Sequence, residues 1–172
     1  MKTKRLVIIG LFIALSFVGA NIKIMGSIAF DSMPAFLGTL ILGPIMGAII
    51  GAIAHFLSAL TSGFPLSLPV HMIVMVDMAV TMILFGIVYN KLKNKNNILA
   101  SIVAIVVAVI INGPVSVFAI IPIAGKGVLA ILPILSLAAL ANVIIAIIVY
   151  RFIPEKYFEI NKLNIIYLKY FA

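Results

Sequence analysis

Long apolar runs, broken by short polar stretches, make up most of this chain. The run "LVIIGLFIALSFVGA" predicts a first helix over about 5–21. The segment "NIKIMGSIAFDS" reads as a loop with some extended character, followed by a short helix over about 32–42. Gly43–Pro44 separates that helix from the next, at about 45–61, and Pro44 suits a first helical turn because its missing N–H costs nothing there. "TSGFPLSLP" is a turn, and a long helix then runs to about residue 90. Beyond the basic loop "NKLKNKNN", a fifth helix covers about 97–120, interrupted at Asn112–Pro114. After the turn "PIAGKG", a sixth helix covers about 128–150, and Pro154 stops its continuation.

These helices read as membrane spans. A span needs roughly 20 largely apolar residues, and 172 residues leave room for five or six spans and no separate soluble domain. The chain is 65% hydrophobic and 9% charged, whereas soluble domains carry about 25% charged residues. Backbone groups in lipid must be paired within the chain, which excludes an open sheet, and the alternation of a barrel is absent. The expected fold is therefore an all-α integral membrane domain of six transmembrane helices over residues 1–153, with 154–172 as a cytoplasmic or interfacial tail. The start also has the layout of a signal peptide, but the spans that follow favour a retained first helix.

The net charge of +8 changes the picture only through where it sits. Lys2, Lys4 and Arg5 precede the first helix, Lys91, Lys93 and Lys95 follow the fourth, and Arg151 and Lys156 follow the sixth. Six spans place all three clusters on one side, the cytoplasmic side by the positive-inside rule, with both termini inside. No basic stripe with interleaved aromatics is present, so nucleic acid is not an expected partner. The absence of cysteine excludes thiol chemistry.

The scarce polar groups gather around the outward-facing turn. His55 and His71, the only two histidines, bracket it, and Asp77 is the only acid between Ser32 and Tyr150. Ionisable groups inside membranes are rare and usually face the bundle interior or a water-filled cavity. No Lys or Arg occurs from Ile24 to Asn90, so Asp77 has no ion-pair partner within that stretch. Asp77 lies about 120° around its helix from His71 and shares its face with Thr81. Met75, Met78 and Met82 lie on the His71 face, as core or as a soft wall for a planar ligand. Asn112 and Asn142 are lone amides in the last two helices, of which Asn112 is favoured for a pocket by its place beside the Gly–Pro break. Gly47, Gly51, His55 and Ala59 share one face of the third helix, spaced for internal packing or for docking of another subunit, and Gly10 and Ala14 form a similar face on the first.

"AGKG" lacks the upstream glycine and the Ser/Thr of a phosphate-binding loop, so the chain cannot itself fuel transport with ATP. There is no HExxH, no GxSxG and no pair of intramembrane carboxylates, and no enzymatic activity, cofactor or metal is expected. Two histidines and an aspartate leave a metal site or an intramembrane hydrolase as undiagnostic alternatives.

The run Phe30–Ala79, with its "DSMP" entry, "GPxxG" turn and "TSGFPLSLPVH", resembles the substrate-binding (S) components of energy-coupling factor (ECF) vitamin transporters. The likeness extends more loosely over about 4–153, and is nearest to the members assigned to α-ribazole, a precursor of cobalamin. The resemblance implies a multi-pass protein of the bacterial cell membrane that binds its vitamin at the outer face, with the loop between the first two helices as a lid. It implies a transmembrane coupling (T) subunit and two ATPase subunits as partners. Small residues on the first helix would dock the coupling subunit, here Gly10 and Ala14, where the family more commonly has two alanines. Asp31 and Ser32 would bind ribose hydroxyls. His55 and His71 would bond hydroxyls or a ring nitrogen, Asp77 would accept from a hydroxyl or a polar ring edge, and Phe64 and Met75 would cover the aromatic ring, with Asn112 lining the pocket. Another vitamin (a flavin, thiamine, pantothenate or a queuosine precursor) and a structural scaffold of the MreD type remain the competing readings.

Overall fold

The computed structural model describes residues 2–21, 23–24, 28–29 and 31–154. The tail from 155 onward, expected as an interfacial helix, lies outside the described residues, as do the side chains of 22–30. The chain forms α1 (Lys2–Asn21), a short antiparallel pair β1 (Lys23–Ile24) and β2 (Ile28–Ala29), then α2 (Met33–Leu42), α3 (Pro44–Thr61) and α4 (Leu68–Leu92). α5 (Asn97–Ile110) continues through a π turn, Ile111–Val115, into α6 (Ser116–Ala124), and a 3-10 turn, Lys126–Ile131, leads into α7 (Leu132–Phe152).

Local chemistry sets these boundaries. Gly43 at φ 96° ends α2 in a conformation that side chains disfavour, and Pro44 opens α3. Asn96 caps α5 by accepting the amides of Ile98 and Leu99 at 2.8 and 3.0 Å. Pro114 has no N–H to give, and the chain accommodates it in the π turn expected as a break at Asn112–Pro114.

Five helical segments among the described residues are long and apolar enough to cross a membrane: 3–21, 44–61, 68–92, 97–124 and 126–152. The helix expected at 32–42 as a sixth span is not among them. α2 has ten residues, about 15 Å at 1.5 Å per residue, half the hydrocarbon thickness. Its position follows from its two ends. The Met33 amide donates to Asn142 Oδ1 at 2.9 Å, and Asn142 is the middle residue of α7. At the other end, Arg5 Nη2 donates to the Leu42 carbonyl at 3.3 Å. α2 therefore runs from the middle of the bundle to the end that carries Arg5. Every residue from Pro34 to Leu42 is buried. Its apolar sequence serves the core and not lipid, a distinction that hydrophobicity alone does not make.

The small residues of α3 pack internally. A Cβ at Gly47 would fall 1.9 Å from Thr39 Oγ1 on α2, and one at Gly51 would meet Met82 and Ala35. A Cβ at Gly86 on α4 would also strike Thr39 and Pro44, so α2, α3 and α4 close on Thr39. Phe36 and Phe85 meet edge-on at 5.0 Å, and Met82 is fully buried beside them in the core. Gly10 has nothing within 4 Å of an added Cβ, and Gly10 and Ala14 lie on an exposed face of α1 with Val7, Leu11 and Val18.

The basic groups converge at one end. Arg5 bonds the end of α2, and Arg151 Nη2 donates to Ser101 Oγ at 3.3 Å, one turn into α5. Lys91 and Lys93 lie at the end of α4, where Tyr89 meets Tyr150 edge-on at 6.0 Å. The turn between α3 and α4 lies at the opposite end.

Candidate functional site

The expected site residues fall into three groups. The first is the α3–α4 turn with its two histidines. His55 Nε2 and His71 Nδ1 are 3.2 Å apart, and His71 Nε2 also bonds the Pro65 carbonyl. A carbonyl can only accept, so His71 carries its proton on Nε2. In neutral His71, Nδ1 is then the acceptor and His55 Nε2 the donor. The chain of bonds runs His55 to His71 to Pro65 and leaves His55 Nδ1 as the unprotonated nitrogen.

Phe64 closes over this pair. Its ring lies 5.9 Å from His71 and 5.9 Å from Phe56. The backbone beneath is strained: Phe64, Leu66 and Ser67 have φ of 51°, 70° and 121°. Such conformations cost about 1–3 kcal/mol each for residues with a Cβ, and they persist only when surrounding contacts hold them. Here the Phe64 stacking and the His71–Pro65 bond do so. Phe64 and Pro65 thus hold the turn beside the histidines. Met75, one turn beyond His71 on α4, is half-buried.

The second group lies on another face of α4. Asp77 and Thr81, one turn apart, are 8% and 0% exposed. Asp77 Oδ2 and Thr81 Oγ1 have no hydrogen-bond partner. The hydrogen-bonding neighbour of Asp77 is the Ser116 hydroxyl on α6, itself 2% exposed. Asn112 is buried in the π turn four residues before Ser116. Asp77 and His71 therefore serve different sides of α4, as their 120° separation requires. No sequence pattern marks Ser116, whose approach to Asp77 depends on the π turn before it.

The third group surrounds the start of α2. Ser32, 5% exposed, precedes the helix and makes no side-chain cap bond. Asn142 supplies the cap instead through Met33, while its Nδ2 donates to the Ala138 carbonyl at 2.9 Å. The half-buried Asp31 sits two residues before Met33, and its charge complements the positive end of α2. Asn142, which ranked below Asn112 as a pocket residue, holds this helix start in place. Among the described residues no group of three or more His, Cys, Asp or Glu side chains is placed to hold a metal ion.

A small multi-helix protein with polar groups buried between its helices, and no phosphate-binding loop, matches one family. Residues 4–154 fit the family model for the ECF transporter substrate-specific component. The chain belongs to that family. No curated protein and no solved structure matches it. The ECF substrate-specific component is a multi-pass membrane subunit that binds a vitamin-class small molecule for an importer, and not an enzyme. Its coupling and ATPase partners are separate subunits, in keeping with the missing phosphate-binding loop. Family membership favours transport over the scaffold reading.

Proposed function

We propose that this substrate-specific component takes up α-ribazole across the bacterial cell membrane, with both termini and the basic end on the cytoplasmic side. The reading gives Phe64 and Met75 to the aromatic ring, and His55 and His71 to hydroxyl donors of the ligand. It gives Asp31 and Ser32 to the ribose hydroxyls, and Asp77 and Asn112 to the remaining polar edge. Gly10 and Ala14 dock the coupling subunit. The observation that supports it most is the directed His55–His71–Pro65 chain beneath the Phe64 ring, at the end away from the basic residues. It offers an unprotonated nitrogen beside aromatic surface, which suits a planar heterocycle that carries hydroxyl donors. The apolar walls with a few fixed polar groups are those of a small-molecule site.

Native mass spectrometry of the purified chain tests this reading, with α-ribazole expected to co-purify. Alanine at His55, His71 or Asp77 is expected to weaken its binding by on the order of 10-fold or more. A different vitamin in the spectrum would replace α-ribazole. Unchanged affinity in all three variants would remove these residues from the pocket.

A further inference from the structure

The Asp77–Thr81 edge has a property that the histidine pair lacks: it is buried with hydrogen-bonding capacity unused. Serine and threonine hydroxyls in helices commonly return to the carbonyl one turn back. Thr39, Ser101 and Ser136 do so, at 2.8, 2.9 and 2.8 Å. Thr81 does not, and Asp77 Oδ2 beside it is also without a partner. A buried polar group left unpaired is costly, and a carboxylate more so. The two residues, four apart, share one face of α4, where Asp77 meets Ser116, and Asp77 lies about 9 Å deeper along the helix axis than His71.

The charge around this edge has one sign. Among the described side chains, Lys4, Arg5, Lys91, Lys93, Lys95 and Arg151 lie at the basic end of the bundle, and Lys126 is exposed at the other. From α2 through α4 the first cation is Lys91. Among the described residues Asp77 has the Ser116 hydroxyl as a neighbour and no cation within the bundle to neutralise an anionic ligand. The α2 start offers a positive helix end, but Asp31 already complements it.

We propose that Asp77 and Thr81 form a deeper subsite that takes a hydrogen-bond-donating group of the substrate, a hydroxyl or an N–H, and excludes anionic substrates. One donor goes to Asp77 Oδ2 and one to Thr81 Oγ1. The substrate class is then uncharged or cationic and rich in donors, while carboxylate- and phosphate-bearing vitamins are turned away. This inference rests on the reading of the chain as a vitamin-binding subunit and narrows it.

The test is calorimetric titration of the full chain in nanodiscs with α-ribazole, riboflavin, thiamine and pantothenate. Wild type is expected to bind from the first three and not the anionic pantothenate. For the ligand that binds, Asp77→Asn is expected to weaken affinity by on the order of 10- to 100-fold, and the isosteric Thr81→Val by about 5- to 10-fold, with helicity and size unchanged. Tight binding of pantothenate overturns the exclusion of anions. Full affinity in both variants, with His71→Ala still impaired, overturns the subsite and leaves the vitamin-binding reading standing. Should Asp77→Asn fail to fold, Thr81→Val alone decides the subsite. Binding of none of the four, with nothing co-purifying, overturns that reading and the inference with it.

Discussion

Replacing Asn142 by leucine removes the acceptor that holds the start of α2. Few donors at that start have another recourse. Pro34 has no N–H, Phe36 donates to the Ser32 carbonyl at 3.0 Å, and Met33 donates to Asn142 across 109 positions of sequence. The second bond of Asn142, to Ala138, returns to its own helix, and losing it costs little. The perturbation therefore includes an orphaned Met33 amide at mid-bundle, far from water. An unsatisfied buried donor costs about 1–3 kcal/mol, and more where lipid rather than water is the surrounding medium. An expected loss of about 2 kcal/mol lowers the melting temperature by roughly 4–8 °C for a chain of this size. Hydrogen exchange gives the sharper reading: the Met33 amide loses protection in Asn142→Leu, while amides in the middle of α4 keep theirs. Asn142→Asp retains an acceptor and recovers protection at Met33. If Met33 stays as protected in Asn142→Leu as in wild type, the start of α2 is held by something else and the argument for Asn142 fails.

Other consequences are open to measurement. Gly47→Ala forces a Cβ against the Thr39 side chain and its Cα, at 1.9 to 2.8 Å, and is expected to destabilise by about 3 kcal/mol or more in thermal unfolding. Gly10→Leu meets open space, so it should keep the melting temperature and ligand affinity while abolishing co-purification with the coupling subunit. Retained assembly would move the docking face elsewhere. Leu66→Gly relieves a φ of 70° at an exposed side chain and is expected to stabilise by up to about 1 kcal/mol, read as a raised melting temperature.

Much of the bundle was legible because lipid and core both demand unbroken apolar helices. The boundaries of α3 and α4, the break at Asn112–Pro114 and the gathering of basic residues at one end all follow from local composition. That His55 and His71 share the end of the bundle formed by the α3–α4 turn was legible too, since a short turn joins the helix ends that carry them, but their direct bond was not. α2 was not legible as a half-length helix. Its apolar residues look like any span, and what distinguishes it is enclosure by other helices and a cap supplied from α7. The parting of Asp77 from His71 was implicit in their angular spacing, but the hydroxyl that Asp77 faces, Ser116, comes from a helix whose register depends on a π turn. Long-range placement of this kind leaves no periodic trace in a single sequence.

The cap on α2 also bears on biosynthesis. A ten-residue helix is too short to partition into the bilayer by its own hydrophobicity. Its anchoring side chain is on the last described helix, so during synthesis 33–42 emerges long before Asn142 exists. The nascent chain must carry an unfinished segment until α7 inserts beside it. Residues 31–33 therefore reach their final arrangement late, and a ribosome-bound intermediate lacking α7 would hold the outer helices without a completed interior.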